Sequence, residues 1–317
     1  MTAAHRPPAA CYDVVVVGGG IAGLTAATVL GRARRRVAVV DAGRPRNAPA
    51  GHVHGFPSRD GVGPEDLLRF CRSDLERYDV EMLSGQAARL GGDGTVELAD
   101  GRSLHGRHVV IASGLEDILP EISGARGRWG RDLLQCPYCH GWEVADRPLA
   151  VLGSGPSSVQ QALLVRSFSA EVTLIVQEGL QLTTDQTRSL EAMGVALVFG
   201  TAQRLLVRDD ALAAVELADG SSLDCRALFC EPAAVVDPAL ADVPGCRLDA
   251  DGCIETDGSG RTGASRVWAV GNVVDPSSQV VAAAGDAYRL AVALNAELLE
   301  EDVRNAVSAG ERAAANL

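Results

Sequence analysis

Short runs of apolar residues, some of them followed at once by a glycine-rich turn, recur along the chain. Residues 14–17 are four valines, and residues 37–40 read Val-Ala-Val-Val. Runs of branched residues without polar positions are typical of strands buried on both faces of a parallel sheet. Residues 24–30, between the two runs, are good helix material. The pattern therefore predicts a strand–turn–helix–strand unit near the start of the chain.

A similar pattern returns later in the 317-residue sequence. Residues 149–152 predict a strand, the following helix runs to about Phe168, and residues 172–176 predict the next strand. Residues 267–270 predict another strand, before a long alanine-rich helix that starts near Ser277. Proline-containing crossings at residues 113–122 and 230–238 separate these units. The arrangement predicts an α/β fold with two Rossmann-like, three-layer domains, of which the second (residues 118–238) is inserted into the first (residues 1–117 and 239–317).

The first turn reads GGGIAG and has the spacing G-x-G-x-x-G between a strand and a helix. Gly18 permits the sharp turn, Gly20 lets the backbone approach a pyrophosphate, and Gly23 lets the helix and strand pack closely. The N–H groups at the start of the helix then face the phosphate charge. Asp41 ends the second strand, 23 positions after Gly18, where a carboxylate accepts hydrogen bonds from a ribose. This context predicts a dinucleotide site.

The second turn reads GSGPSS at residues 153–158, with a serine in place of the third glycine. The order strand, turn, helix, strand is kept, so the fold signal is good. The ligand signal is poor because the glycine pattern is incomplete.

Composition excludes some classes of partner. The formal net charge is −12, which argues against a nucleic acid as the main partner. The local run GRARRR at residues 31–36 is interpreted as the solvated, cationic end of a helix. No segment has the length and apolar content of a membrane span, and the first residues lack the layout of a secretion signal. We therefore expect a cytoplasmic protein without a membrane partner.

The chain has eight cysteines, and two of them form its single C-x-x-C motif, CPYCHG at residues 136–141. The motif is compatible with half of a metal site, a structural disulfide or a redox switch. A zinc site usually needs a second close pair, and the four residues between Cys225 and Cys230 look like a strand, so we expect no metal. The cytoplasm keeps most thiols reduced, so the even cysteine count is no evidence for a disulfide framework.

The order of motifs resembles the low-molecular-weight thioredoxin reductase family, which has an N-terminal FAD motif, C-x-x-C in an inserted Rossmann domain and a C-terminal flavin motif. Residues 44–61 (RPRNAPAGHVHGFPSRDG) and 136–143 (CPYCHGWE) resemble more closely the thioredoxin-reductase-like dithiol oxidases of natural-product pathways, which close the disulfides of gliotoxin, holomycin and related dithiols. Protein-reducing members typically carry aspartate where this chain has His140.

The resemblance implies an FAD enzyme with a redox-active Cys136–Cys139 disulfide. Cys139 would face the flavin, and Cys136 would exchange with the substrate. His140 would carry protons, because an imidazole titrates near neutrality. Other expected cofactor-binding residues, besides the glycines and Asp41 above, are Ile21, Ala22, Arg46, Asn47, Gly271, Asn272, Gln279 and Val280.

Three neighbouring side chains have less certain roles. Glu143 is a weak candidate for orienting His140. His52 and His54 would either line the same pocket or belong to a loop bonded to its own backbone.

The expected electron acceptor is O2, which would yield H2O2. Residues 176–186, which follow the second strand of the inserted domain, contain no Arg or Lys to hold the 2′-phosphate of NADPH, and Glu178 would repel it. NADH remains open. We expect a small-molecule dithiol substrate from antibiotic or other natural-product biosynthesis, or from self-resistance.

Two alternatives remain. One is a reductase of thioredoxin-like proteins that is fed by NAD(P)H or ferredoxin. The other is a flavin sensor without turnover, which would need neither cysteine. A homodimer is expected from the family. Residues 54–70 contain a proline-led amphipathic stretch that could pack on a partner, and the alanine-rich C-terminal helix could equally be core.

Overall fold

The computed structural model describes residues 11–315, with the side chains of residues 12–313. The strands are β1 (Cys11–Val17), β2 (Val37–Asp41), β3 (Glu81–Ser84), β4 (Ala87–Leu90), β5 (Thr95–Leu98), β6 (Ser103–Ile111), β7 (Glu116–Ile118), β8 (Leu133–Leu134), β9 (Leu149–Gly153), β10 (Val172–Val176), β11 (Val195–Phe199), β12 (Ala202–Arg208), β13 (Ala211–Leu217), β14 (Ser222–Asp224), β15 (Ala227–Phe229), β16 (Ala233–Val235) and β17 (Val267–Ala269). The helices are α1 (Ile21–Arg32), α2 (Pro64–Leu75), α3 (Ala125–Arg128), α4 (Pro137–His140), α5 (Ser157–Val165), α6 (Thr184–Ala192), α7 (Pro238–Ala241) and α8 (Val280–Ala315), with 3-10 turns at Glu76–Tyr78 and Gly271–Val273.

The chain divides into two compact units. The described part of the first unit comprises residues 11–46, 65–116 and 235–315, and the second comprises residues 47–64 and 117–234. Residues 47–64, which the sequence pattern placed in the first domain, therefore group with the second unit. Strands β7 and β16, at the two boundaries, pair in a two-stranded sheet.

The first unit is built on a seven-stranded sheet in the order β3-β2-β1-β6-β5-β4, with β17 also paired to β6. Strands β2 and β6 pair in parallel with β1, and β17 pairs in parallel with β6, so the sheet centre is parallel. Helices α1 and α8 bury Leu24, Leu30, Leu290 and Leu294 against one face of the sheet, beside Trp268. A second core fills the opposite face.

The second unit is built on a five-stranded parallel sheet in the order β11-β10-β9-β15-β8. Apolar residues of α5 and α6 pack on one face. The antiparallel sheet β12-β13-β14 packs on the other face, which gives three layers. The predicted fold class, with two Rossmann-like layered units, is confirmed.

The arginine run after α1 differs from the expectation. The side chain of Arg35 is 13% exposed, and it donates hydrogen bonds to Asp302 (2.6 Å) and to the Asn295 side chain (2.7 Å). The interpretation of this run as solvated is therefore wrong for Arg35, which ties the end of α1 to α8.

Helix α8 has two different faces. One face is buried in the core of the first unit. The other face exposes Tyr288, Val292, Leu299 and Val303, each to more than half. Among the described residues, no helix combines the length and the apolar character needed to cross a membrane.

Candidate functional site

The first strand–helix turn is fixed by close backbone packing. Gly18 has φ +114°, and a Cβ at this position would overlap the carbonyl of Ala112. A Cβ on Gly23 would overlap the carbonyl oxygen of Gly18, so glycine is required at both positions. Gly20, just before Ile21 and Ala22 at the start of α1, would instead place a Cβ in open space, with no atom within 4 Å. The open side of the turn is thus at Gly20, where a pyrophosphate is expected to approach.

Asp41 lies at the end of β2, beside a cavity of about 450 Å3. Its Oδ1 accepts a hydrogen bond from the Gly43 N–H at 3.0 Å, and its Oδ2 is 3.2 Å from a guanidinium nitrogen of Arg72. The cavity is lined by residues 41–44, Arg72 and residues 82–86. The sequence pattern gave no sign of Arg72, because it lies 31 positions from Asp41.

The C-terminal motif meets the first turn inside the same unit. Gly271 has φ +82°, and a Cβ there would lie 3.0 Å from the Cβ of Ala22. The Asn272 side chain donates hydrogen bonds to the carbonyls of Asp275 (3.0 Å) and Ser278 (3.0 Å), and so shapes the turn before α8. Arg46 donates to the carbonyl of Pro276 at 2.8 Å, which joins it to this turn.

The remaining expected cofactor residues fall into different places. Gln279 immediately precedes α8, and Val280 begins it. Asn47 belongs to the second unit, whereas the other expected cofactor residues belong to the first. The glycine turn with open space at Gly20, together with a carboxylate beside a cavity, fits the phosphates and ribose of a dinucleotide such as FAD.

In the corresponding turn of the second unit, a serine side chain forms hydrogen bonds with the backbone of the turn. The fully buried Ser158 hydroxyl accepts hydrogen bonds from the N–H groups of Ser154 (3.2 Å) and Gly155 (3.3 Å). The next side chain, Ser157, donates to the carboxylate of Glu231. Two N–H groups of this turn are therefore paired within the turn, and a carboxylate lies beside it.

Cys136 and Cys139 are joined by a disulfide, with 5.2 Å between their Cα atoms. Cys136 caps the short helix α4, and its sulfur accepts a hydrogen bond from the Cys139 N–H at 3.1 Å. Upon reduction, the same N–H stabilises a thiolate on Cys136. Tyr138 lies between the two cysteines and is 76% exposed, and Trp142 follows them and is 81% exposed. The segment of the disulfide therefore carries accessible aromatic side chains, which the sequence analysis did not single out.

Burial is the main factor that lowers the pKa of His140. The charge of Glu143 raises this pKa, whereas His54 and His52 lower it. An imidazole with a lowered pKa is neutral at pH 7 and can accept a proton from a thiol. Within the described residues, the His140 ring has no hydrogen-bond partner that would compete with a substrate.

Glu143 is paired with His54 and not with His140. Its Oε1 lies 3.2 Å from Nε2 of His54, and Nδ1 of His54 lies 3.3 Å from Oδ2 of Asp60. His52 is a neighbour, with 6.1 Å between the two ring centroids. The GHVHGF loop therefore contacts the C-x-x-C segment inside the second unit. The weak sequence suggestion that Glu143 orients His140 is replaced by an electrostatic effect, because the Glu143 carboxylate pairs with His54.

Other cysteines of the second unit are unreactive. Cys225 and Cys230 are buried and not disulfide-bonded. Burial raises the pKa of each thiol to about 12. Since the thiolate is the reactive form, neither can serve as a nucleophile near neutral pH.

In the part of the chain that the structure describes, one cluster has metal-ligand types, namely His108, Glu297 and Glu301 in the first unit. Trp268 donates to Nδ1 of His108 at 3.2 Å, so the ring proton is on Nε2, 3.1 Å from a Glu301 oxygen. The other Glu301 oxygen accepts from Arg107 at 2.8 Å. These groups form an ion-pair network and not a metal site.

Comparison with known proteins places both units in one family. The chain matches the pyridine nucleotide-disulphide oxidoreductases over residues 12–287. It is 29% identical to thioredoxin reductase sirT of Leptosphaeria maculans, over 92% of this chain and 96% of that protein. The crystal structure of HlmI has 49% sequence identity and a TM-score of 0.89, and the match covers 95% of this chain and 96% of that chain. An oxidoreductase from Agrobacterium tumefaciens has 33% identity and a TM-score of 0.86, over 92% and 99% of the two chains.

Proposed function

The chain belongs to the pyridine nucleotide-disulphide oxidoreductase family of flavoproteins, and we propose that it is an FAD-dependent oxidase that forms a disulfide within a small-molecule dithiol. The electron pair passes to O2, so that dithiol and O2 give cyclic disulfide and H2O2. The observation that carries the choice of acceptor is the second turn, which lacks the third glycine and whose Ser158 hydroxyl already accepts from two backbone N–H groups.

Charge around the second turn supports this choice. Glu231 accepts a hydrogen bond from Ser157 at the mouth of the turn. Residues 176–186 contain no Arg or Lys, and Glu178 lies among them. Binding of NADPH depends on charge-assisted bonds from cationic side chains to its phosphates. The residues around this turn offer carboxylates instead, which repel a phosphate.

The disulfide segment supports the thiol chemistry. A substrate thiolate attacks Sγ of Cys136, the Cys136–Cys139 bond breaks, and Cys139 leaves as a thiolate. The second substrate thiol then attacks the mixed disulfide, and the oxidised product leaves as Cys136 becomes a thiolate beside the Cys139 N–H, 3.1 Å away in the oxidised form. Bound flavin supplies the two-electron oxidation that restores the disulfide and transfers the electrons to O2.

His140 supports proton removal from the substrate. Its pKa is lowered chiefly by burial, so the neutral ring is available to take the proton of an incoming thiol. General base help of this kind typically contributes about 10²–10⁴ in rate.

An assay that mixes the enzyme with dithiothreitol or with NADPH tests the proposal. We expect O2 uptake and H2O2 formation with dithiothreitol, and no bleaching of the flavin by NADPH. Cys136→Ser and Cys139→Ser should each abolish O2 uptake but keep the yellow flavin, while the partly buried Cys246→Ser keeps both. Flavin bleaching by NADPH, or oxidase activity that survives loss of either motif cysteine, would contradict the proposal.

A second candidate is a thioredoxin reductase, which the similarity to thioredoxin reductase sirT favours. Rapid bleaching by NADPH, followed by reduction of thioredoxin, would select this candidate.

The protein is further proposed to form a homodimer through the exposed face of α8. Tyr288 and Val292 are four positions apart, as are Leu299 and Val303, and all four are apolar and exposed. Contiguous apolar surface of this kind marks protein–protein contacts. Light scattering should give twice the mass of the single chain, and a single-chain mass would contradict the dimer. The cytoplasmic location remains a prediction.

A further inference from the structure

His54 joins two separate segments of the second unit. Its ring nitrogens face two carboxylates, with Nε2 3.2 Å from Glu143 and Nδ1 3.3 Å from Asp60. Asp60 belongs to the same loop as His54, whereas Glu143 follows the C-x-x-C motif. The His54 side chain is 23% exposed, so the pair with Glu143 is more protected than a typical surface ion pair.

The two contacts of this ring differ in kind. The Asp60 contact is a hydrogen bond, and the Glu143 contact is an ion-pair distance. Asp60 is held in its ionised form, because a hydrogen bond from the Gly55 N–H, and then one from His54, lower its pKa. The Gly55 bond measures 2.8 Å. His54 therefore lies between a carboxylate of its own loop and a carboxylate of the segment that follows the C-x-x-C motif.

The charges that face His140 come from both segments. Glu143 is on the same segment as His140, and His54 and His52 are on the loop. Among these groups, Glu143 is the one whose charge favours the protonated form of His140. Its position is consequently important at the step that protonates His140.

We propose that His54 is a positioning residue that acts through Glu143. It holds the Glu143 carboxylate beside His140, and this carboxylate stabilises the imidazolium that forms when His140 takes the proton from the substrate thiol. The proton moves from sulfur to a ring nitrogen of His140, the thiolate keeps the electron pair, and no oxidant takes part in this step. The inference rests on the proposed function only in the role of His140 as base.

The test uses dithiothreitol as the probe and measures how fast it opens the Cys136–Cys139 disulfide across a range of pH. Samples are quenched with acid, alkylated, and quantified at the two cysteines by mass spectrometry, so the readout does not depend on flavin or O2. The variants are His54→Gln, Glu143→Gln and the double variant. His52→Gln is the matched control, because it removes a neighbouring imidazole that has no contact with Glu143.

In His54→Gln, the acid limb of the pH–rate profile moves in opposite directions depending on whether His54 positions Glu143 or acts only through its own charge. Glu143→Gln removes a negative charge, lowers the pKa of His140 and moves the acid limb of the rate profile down by about 0.5 to 1 pH unit. If His54 positions Glu143, His54→Gln moves the limb down as well, and the double variant moves it no further down than Glu143→Gln. If His54 acts only by its own charge, its loss moves the limb up. His52→Gln should give no downward shift.

An upward or absent shift in His54→Gln, or additive shifts in the double variant, would overturn the proposal. Circular dichroism checks that each variant folds, and His54→Asn replaces His54→Gln if the latter does not fold. His54→Asn should give the same downward shift, and an upward or absent shift would equally refute the inference. If dithiothreitol fails to open the disulfide in the wild-type protein, the proposed function fails separately.

Discussion

The two strand–helix turns of this protein share one order of strand, turn and helix but differ at the third glycine position. In the first unit, the third glycine position is Gly23, and the backbone at Gly20 borders open space. In the second unit, that third position is Ser158, whose hydroxyl accepts the N–H groups of Ser154 and Gly155. The comparison teaches that a serine at this position bonds to the backbone of the turn, whereas glycine allows the helix and strand to pack closely.

The largest effect that tests the comparison is expected for Gly23→Ala. The added Cβ would overlap the carbonyl oxygen of Gly18, which is backbone and cannot move aside cheaply. We expect a loss of at least about 1–3 kcal/mol in the free energy of unfolding and a loss of flavin.

Thermal unfolding and the ratio of flavin to protein absorbance measure both effects of Gly23→Ala. Gly20→Ala is the control, because its Cβ meets no atom within 4 Å. It should keep the stability of the wild-type protein and weaken only flavin binding. Equal stability of the two variants would show that close packing at Gly23 is unimportant.

A smaller effect is expected for Ser158→Ala. It removes the Ser158 acceptor of the Gly155 N–H and of the Ser154 N–H, which also bonds to the Leu152 carbonyl, at a cost of about 0.5–1.5 kcal/mol. Flavin content should stay unchanged, because the second unit does not contain the glycine turn at Gly20. Denaturant unfolding measures the loss, with the more exposed Ser157→Ala as control. If the free energy of unfolding is unchanged, the hydrogen bonds to the Ser158 hydroxyl do not stabilise the turn.

The smallest effect concerns access of a nicotinamide to the second turn. Ser158→Gly combined with Glu231→Gln removes the internal acceptor and the nearby charge. We expect flavin reduction by NADH to rise only about two- to fivefold, since one exposed charge is worth about 0.2–1 kcal/mol. Stopped-flow absorbance measures this rate. A rise of several hundredfold would mean that the turn was closed by these two residues alone.

Local signals made the first turn predictable. The valine run, the glycines and Asp41 lie within a few tens of residues, and the structure places β1, α1 and β2 where the pattern predicted them. Residues 172–176 were predicted as a strand and form β10 with the same bounds. The start of α8 was predicted near Ser277 and lies at Val280, because the side chain of Asn272 holds the preceding turn outside the helix.

Contacts between distant segments were not readable from the sequence. Ser158 was visible as a departure from the motif, but its two hydrogen bonds depend on the path of the turn in space. His54 and Glu143 are far apart in the chain, and no periodic pattern joins a loop histidine to a glutamate after a cysteine motif. The assignment of residues 47–64 to the second unit follows from such contacts, so the motifs could not reveal it.

The buried thiols Cys225 and Cys230 have a consequence for the lifetime of the enzyme. Peroxide oxidises thiolates much faster than thiols, and burial raises the pKa of both groups to about 12. If the enzyme releases H2O2 as proposed, these two sulfurs would resist oxidation by its own product over many turnovers.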